Sequence, residues 1–126
     1  MAYLDKKILI VEDEKPLLSS LRERFESEGF KVFVAEDGEA GFEAAKKEIP
    51  DIILIDILLP KVDGIAMARM IKGAGVKALM IFLTNLGDAE HVVEAFGASS
   101  ESDYLVKSDW NINDVVARVK ERLNLK

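Results

Sequence analysis

The sequence predicts an α/β fold: a doubly wound parallel sheet of five strands with helices on both faces. Three observations predict it. Apolar runs of strand length alternate throughout with segments whose apolar residues recur at helical spacing. The runs are continuous rather than alternating, as expected of strands buried on both faces. Four of the five also end in residues with chemistry to offer: Lys7–Val11 in Glu12 and Asp13, Ile52–Ile55 in Asp56, Ala78–Leu83 in Thr84, and Tyr104–Val106 in Lys107. Only Val32–Ala35 ends without an evident chemical group, at Glu36 and Asp37. Right-handed crossovers put the carboxyl ends of parallel strands at one edge, where such sheets bind ligands near the reversal of strand order.

Each element follows from local signals. After Lys7–Val11, Pro16 suits a helix start, and Leu17, Leu18, Leu21 and Phe25 follow at helical spacing until Glu28-Gly29 ends the helix. Lys31–Ala35 is the second strand. Asp37-Gly38 signals a turn or N-cap before a short helix with Ala40, Phe42, Ala44 and Ala45. Pro50 separates that helix from strand Ile52–Ile55. The segment Ile57–Asp63 is a loop holding Pro60, and Gly64 opens a helix with Ile65, Ala68, Met70 and Ile71 that Gly73 and Gly75 end. Ala78–Leu83 is the fourth strand, Asp88–Phe96 a weaker fourth helix, Ser99–Ser102 a polar loop and Tyr104–Val106 the fifth strand. Asn111 to Asp114 reads as a capping box for a last helix striped by Val115, Val116, Val119 and Leu123.

A chain of 126 residues suits one domain able to bury a sizeable core without staples. It holds no Cys and a single His, His91, which excludes disulfides and argues against a zinc site. A net charge of −6 argues against direct nucleic-acid binding. No apolar stretch approaches the roughly 20 residues of a membrane span, and the first ten residues do not resemble a signal peptide. The expectation is a cytoplasmic protein without membrane insertion, one domain over 1–126 and no effector domain.

Surface acids at strand ends are common, and any one of Glu12, Asp13 and Asp56 alone could be a solvated loop residue. As a set they imply more. Two like charges about 4 Å apart cost roughly 4 kcal/mol at an effective dielectric near 20, so three at one edge need a cation or raised pKa values. Oxygen ligands without His or Cys select Mg²⁺ or Mn²⁺. Beside such an ion, Asp56 can act as nucleophile toward a phosphoryl donor. Lys107 and the metal would neutralise the transferring group, and Thr84 could donate a hydrogen bond to a phosphoryl oxygen. The carboxylates, the metal and Lys107 sum to near neutrality, and an acyl phosphate on one carboxylate adds about −1 for Thr84 and Lys107 to bind.

Ile10-Val-Glu-Asp13, Asp56-Ile-Leu-Leu-Pro60 with Asp63-Gly64, Phe82-Leu-Thr84 and Tyr104-Leu-Val-Lys107 together resemble the receiver domain of two-component response regulators, over essentially the whole chain. The resemblance implies a flavodoxin-like (βα)5 fold with strand order 2-1-3-4-5. It implies that Asp56 is the phosphoryl acceptor, and that Asp13, Asp56 and the Leu58 carbonyl ligate Mg²⁺, with Glu12 holding a metal-bound water. Thr84 and Lys107 would contact the phosphoryl group, and Tyr104 would turn inward when Thr84 moves. The implied donor is a sensor histidine kinase or histidine phosphotransfer protein. Output would go to an unknown protein through the face of the fourth helix, fifth strand and fifth helix, from a monomer or a phosphorylation-dependent homodimer. On this reading the chain is a switch rather than an enzyme, catalysing only its own phosphorylation and dephosphorylation.

The chain departs from the family pattern in four places. Ser108 stands where the family has Pro after the lysine, at a peptide that is typically cis there; a cis bond before a non-proline costs about 2.5–4 kcal/mol, so this one is either trans or held under strain. Asn85 replaces a small residue after the threonine. Leu58 and Leu86 occupy positions that resemble those tuning the lifetime of the phosphorylated state; as apolar residues they imply poor positioning of the attacking water and slow self-dephosphorylation. Finally, Ala95–Asp103 lacks the usual short Gly-Ala turn.

Phe30, Phe33, Phe42, Phe82 and Phe96 are expected in the core, with Met67, Met70 and Met80 filling gaps. Trp110 reads as a packing anchor, His91 as exposed, and Lys6-Lys7 and Lys46-Lys47 as solvated charges. Three other functions compete with the switch. A degenerate receiver acting only as a phosphorylation-independent binding module is the chief alternative. An aspartyl-phosphate phosphatase would need an acid where Leu58 stands. A flavin-phosphate binder would meet repulsion from the acidic edge.

Overall fold

Continuous apolar runs form the centre of the protein, for which a computed structural model describes residues 5–84, 102–106 and 111–125. The strands are β1 (Lys7–Val11), β2 (Lys31–Ala35), β3 (Ile52–Asp56), β4 (Leu79–Thr84) and β5 (Ser102–Val106). All neighbours pair in parallel, in the order β2-β1-β3-β4-β5. The chain therefore leaves β1 to one side for β2 and returns to its other side for β3. The reversal of strand order falls between β1 and β3, so the crevice beyond their carboxyl ends is where a ligand site is expected.

Strand alternation divides the core in two. Leu9, Val11, Ile53, Ile55, Met80 and Phe82 face one way, against α2 (Gly38–Glu48) and α3 (Gly64–Gly73). Ile8, Ile10, Ile52, Leu54, Ile81 and Leu83 face the other, against α1 (Lys15–Ser27) and the C-terminal helix (Ile112–Arg122). The helix starts are those the sequence signals. Asp37 accepts from the Ala40 N–H at 2.7 Å and Asp63 from the Ala66 N–H at 2.8 Å. Asn111 and Asp114 cap each other's backbone in a reciprocal box.

Several expectations need correction. Met70 is 39% exposed, because helical spacing alone does not say where the buried stripe of α3 ends. Phe33 and Phe42 are only partly buried. Lys7 is not an ordinary solvated charge: its Nζ donates to the Glu48 carbonyl at 3.0 Å, clipping the end of α2 to the start of β1. Lys46 bonds Glu43 at 3.0 Å and lies 4.2 Å over the Phe42 ring. Ser102 belongs to β5 rather than to a preceding loop. The fourth helix at Asp88–Phe96, with His91 and Phe96, lies outside the described residues, as do Asn85, Leu86, Ser99–Glu101, Ser108 and Trp110.

Away from the acids, α1 is tied to the C-terminal helix. Lys120 Nζ bonds Glu28 Oε1 at 2.6 Å, Arg24 Nε bonds Glu28 Oε2 at 3.1 Å, and Arg24 Nη1 donates to Asn113 Oδ1 at 2.6 Å. Lys120, then Arg24, hold the Glu28 carboxyl below its usual range, against the opposing effect of burial. A lowered folded pKa means that the stabilisation is complete above the unfolded value and fades as pH falls through the folded one. Glu28→Gln should therefore lower stability near neutral pH by about 0.5–1 kcal/mol, as for a partly screened network. Thermal unfolding across the acid range should show the two proteins converging as Glu28 protonates.

Candidate functional site

The register that builds the sheet also assembles the acids. Ile10 pairs with Leu54 and Val11 with Ile55, so one further step brings Glu12 level with Asp56. The Glu12 N–H continues the ladder by donating to the Ala35 carbonyl at 3.0 Å. Glu12 is fully buried and Asp56 is 4% exposed. Asp13, one residue on, is exposed. One carboxylate oxygen from each of the three lies within 4.8 Å of the others.

Those residues fit a hard divalent cation. The donor set is entirely oxygen, as Mg²⁺ and Mn²⁺ prefer. Ligands about 2.1 Å from one Mg²⁺ can be no more than about 4.2 Å apart. The cluster needs to close only slightly, or to admit a water between one carboxylate and the ion. Backbone donors orient the acids: the Glu14 N–H donates to Glu12 Oε2 and the Leu58 N–H to Asp56 Oδ1, each at 3.0 Å.

The loop after Asp56 is pinned at both ends. The Gly64 N–H donates to the Ile57 carbonyl at 2.9 Å, closing its base. A Cβ on Gly64 would overlap the Asp56 carbonyl oxygen and come within 2.8 Å of Ile55 Cγ2, so only glycine lets α3 start this close to β3. At the tip the Val62 N–H donates to the Pro60 carbonyl at 2.8 Å across Lys61, whose φ is +67°. A turn that closes over one such residue is rare and strained. The Leu58 side chain is 58% exposed beside this loop.

Two of the remaining expected site residues lie on β4 and β5. Thr84 ends β4, where its backbone pairs with Val106. Tyr104 pairs with Phe82 and is 38% exposed. Lys107 lies outside the described residues. Sequence reasoning missed the contacts that the Asp37-Gly38 pair makes with this loop. The Asp-Gly dipeptide was the available signal, but it marks a helix start whatever stands opposite.

The family model for the response regulator receiver domain matches residues 8–120. The chain belongs to the response regulator receiver family. This receiver is 32% identical over 117 residues to the alkaline phosphatase synthesis transcriptional regulatory protein PhoP of Bacillus subtilis (strain 168), covering 93% of this chain and 48% of that protein. It is 37% identical over 117 residues to the transcriptional regulatory protein CusR of Escherichia coli (strain K12), covering 93% and 51%. The chain thus spans about half the length of these curated relatives. Its fold matches the receiver domain of the Francisella response regulator 1452 with a TM-score of 0.82 at 26% identity, covering 95% of this chain and 98% of that one. It also matches the receiver domain of sensor histidine kinase PA1611 from Pseudomonas aeruginosa PAO1, with a TM-score of 0.81 at 27% identity, covering 94% and 98%. That structure holds a magnesium ion in its active-site cleft.

The close approach at Gly64 yields a direct test. Gly64→Ala should cost about 1–3 kcal/mol in urea unfolding, since backbone on both sides must move. Gly73→Ala, where an added Cβ meets nothing within 4 Å, should be neutral or slightly stabilising.

Proposed function

We propose that this receiver is a phosphorylation-dependent switch whose acceptor is Asp56 and whose donor is a phosphohistidine on a sensor kinase or phosphotransfer protein. Asp56 carries the reading: a carboxylate 4% exposed at the end of β3, with oxygens of Glu12 and Asp13 within 4.8 Å. Such a group has little to do in a core and much to do beside a cation. Asp13, Asp56 and the Leu58 carbonyl would hold Mg²⁺ or Mn²⁺, with Glu12 acting through a water. The bound cation would supply charge neutralisation for the transferring phosphoryl group.

The chain's own residues do the rest. The Leu58 N–H on Asp56 Oδ1 sets the orientation of the carboxylate. An Asp56 oxygen attacks phosphorus, a new O–P bond forms, and the P–N bond breaks with its electron pair leaving on the imidazole. Thr84 and Lys107, from the ends of the fourth and fifth strands, bind the charge that the acyl phosphate adds. Tyr104, with its exposed ring, is the aromatic that moves inward once Thr84 is engaged. Output then passes by protein contact through the face of the fourth helix, β5 and the C-terminal helix. On this reading the protein works in the cytoplasm, and this acidic receiver domain is not itself a nucleic-acid-binding surface.

Acetyl phosphate with Mg²⁺, read by intact mass, tests the proposal. One added phosphoryl group is expected, absent in Asp56→Asn and suppressed by EDTA. The adduct should decay slowly, because the apolar Leu58 side chain at the rim positions no attacking water; a lifetime of seconds would contradict that role. No adduct with small donors or a kinase would overturn the switch in favour of a bare binding module. Repeated turnover of phosphate esters would indicate a phosphatase.

A further inference from the structure

The end of β2 is the one strand end that contributes nothing evident to the chemistry, yet it touches the loop that does. The Gly38 N–H faces the Pro60 carbonyl at 3.4 Å. A Cβ on Gly38 would overlap the Val62 carbonyl oxygen and lie 2.8 Å from both Val62 C and Val62 Cβ. Asp37 Oδ2, from the residue that caps α2, stands 3.7 Å from Lys61 Nζ. All three contacts fall on Pro60, Lys61 and Val62, the strained tip with Lys61 at φ +67°. A non-glycine residue at positive φ costs roughly 1–2 kcal/mol and persists only where its surroundings hold it.

We propose that Gly38, assisted by Asp37, is a positioning residue for the metal site. The start of α2 acts as a backstop for the loop tip, which fixes the path of Leu58 two residues before Pro60 and hence the place of its carbonyl. The proposal rests on the reading of Glu12, Asp13, Asp56 and Leu58 as a cation site, and it adds to that site a pair of residues from the one strand that otherwise takes no part. In this proposal neither Gly38 nor Asp37 is a ligand of the ion or of the phosphoryl group. Their effect is on the geometry of a backbone oxygen, where a misplacement of a few tenths of an ångström matters because Mg²⁺ demands near-ideal octahedral geometry.

The test is Mg²⁺ affinity of the unphosphorylated protein by calorimetric titration, alongside thermal unfolding without metal. Gly38→Ala should weaken Mg²⁺ binding about five- to twenty-fold, as for partners that orient metal ligands. Gly41→Ala is the control for general loosening of α2. The atoms nearest its added Cβ would be in the Met67 and Val11 side chains rather than the loop backbone, so Mg²⁺ affinity should stay within about two-fold. Lys61→Gly removes the strain at the tip, so Gly38→Ala is read in that background if it does not fold alone. Undiminished affinity on adding Gly38→Ala, to the wild type or to Lys61→Gly, with Asp13→Asn still abolishing binding, would overturn the positioning role and leave the cation site standing. Absence of Mg²⁺ binding by the wild-type protein would overturn both together.

Discussion

Glu12, Asp13 and Asp56 bring carboxylate oxygens within 4.8 Å of one another, and two of these residues are almost wholly removed from water. At such a separation each like-charge pair costs roughly 3–4 kcal/mol at an effective dielectric near 20. That is a large part of the 5–15 kcal/mol by which domains are ordinarily stable. Much of the surrounding structure can be understood as holding this arrangement in place. The acids cannot drift apart, because Glu12 follows β1 and Asp56 ends β3, adjacent strands buried but for Lys7 whose register is fixed on both faces. Moving one relative to the other would slip β1 on β3 and turn buried side chains to the wrong face.

The charged ties between helices are set apart from the acids. The clip of Lys7 onto Glu48 and the Arg24, Glu28 and Lys120 cluster lie away from the acids. They join helices to the sheet and to one another without adding charge to the site. At the carboxyl edge the contacts are of another kind: backbone donors onto carboxylate oxygens, and glycines that let one backbone reach another. These contacts orient the acids, and the all-oxygen donor set they present suits a divalent cation.

Much of this was legible in the sequence, for identifiable reasons. The runs at Lys7–Val11 and Ile52–Ile55 are buried on both faces, so hydropathy marked them plainly. Asp37, Asp63 and the Asn111 to Asp114 box cap their helices because capping is local and depends only on near neighbours in the chain. Strand ends pointed to the acids because parallel sheets bring those ends to one edge. What escaped were facts about partners distant in sequence. Glu12 and Asp13 are adjacent acids, yet one is buried and the other exposed, and only the pleat of β1 against its neighbours decides which. Met70 fits the helical period of α3 but sits at the open side of its stripe. Gly38 read as a helix start, while its closest constraint is the Val62 backbone twenty-four residues on. Lys107, the most informative cation in the sequence, lies outside the described residues.

Asp13 offers the most direct measurement of whether repulsion among the acids, relieved by a divalent cation, is what organises the site. It is exposed, so its replacement by Asn removes one charge with little disturbance of packing. Thermal unfolding of the wild-type protein and Asp13→Asn, each in EDTA and in Mg²⁺, separates the terms. The account predicts that Asp13→Asn melts higher than wild type in EDTA, by about 3–6 °C for each kcal/mol of repulsion removed. It also predicts that Mg²⁺ raises the wild-type midpoint and barely moves that of the variant. A variant no more stable than wild type in EDTA, together with a wild-type midpoint indifferent to Mg²⁺, would contradict it.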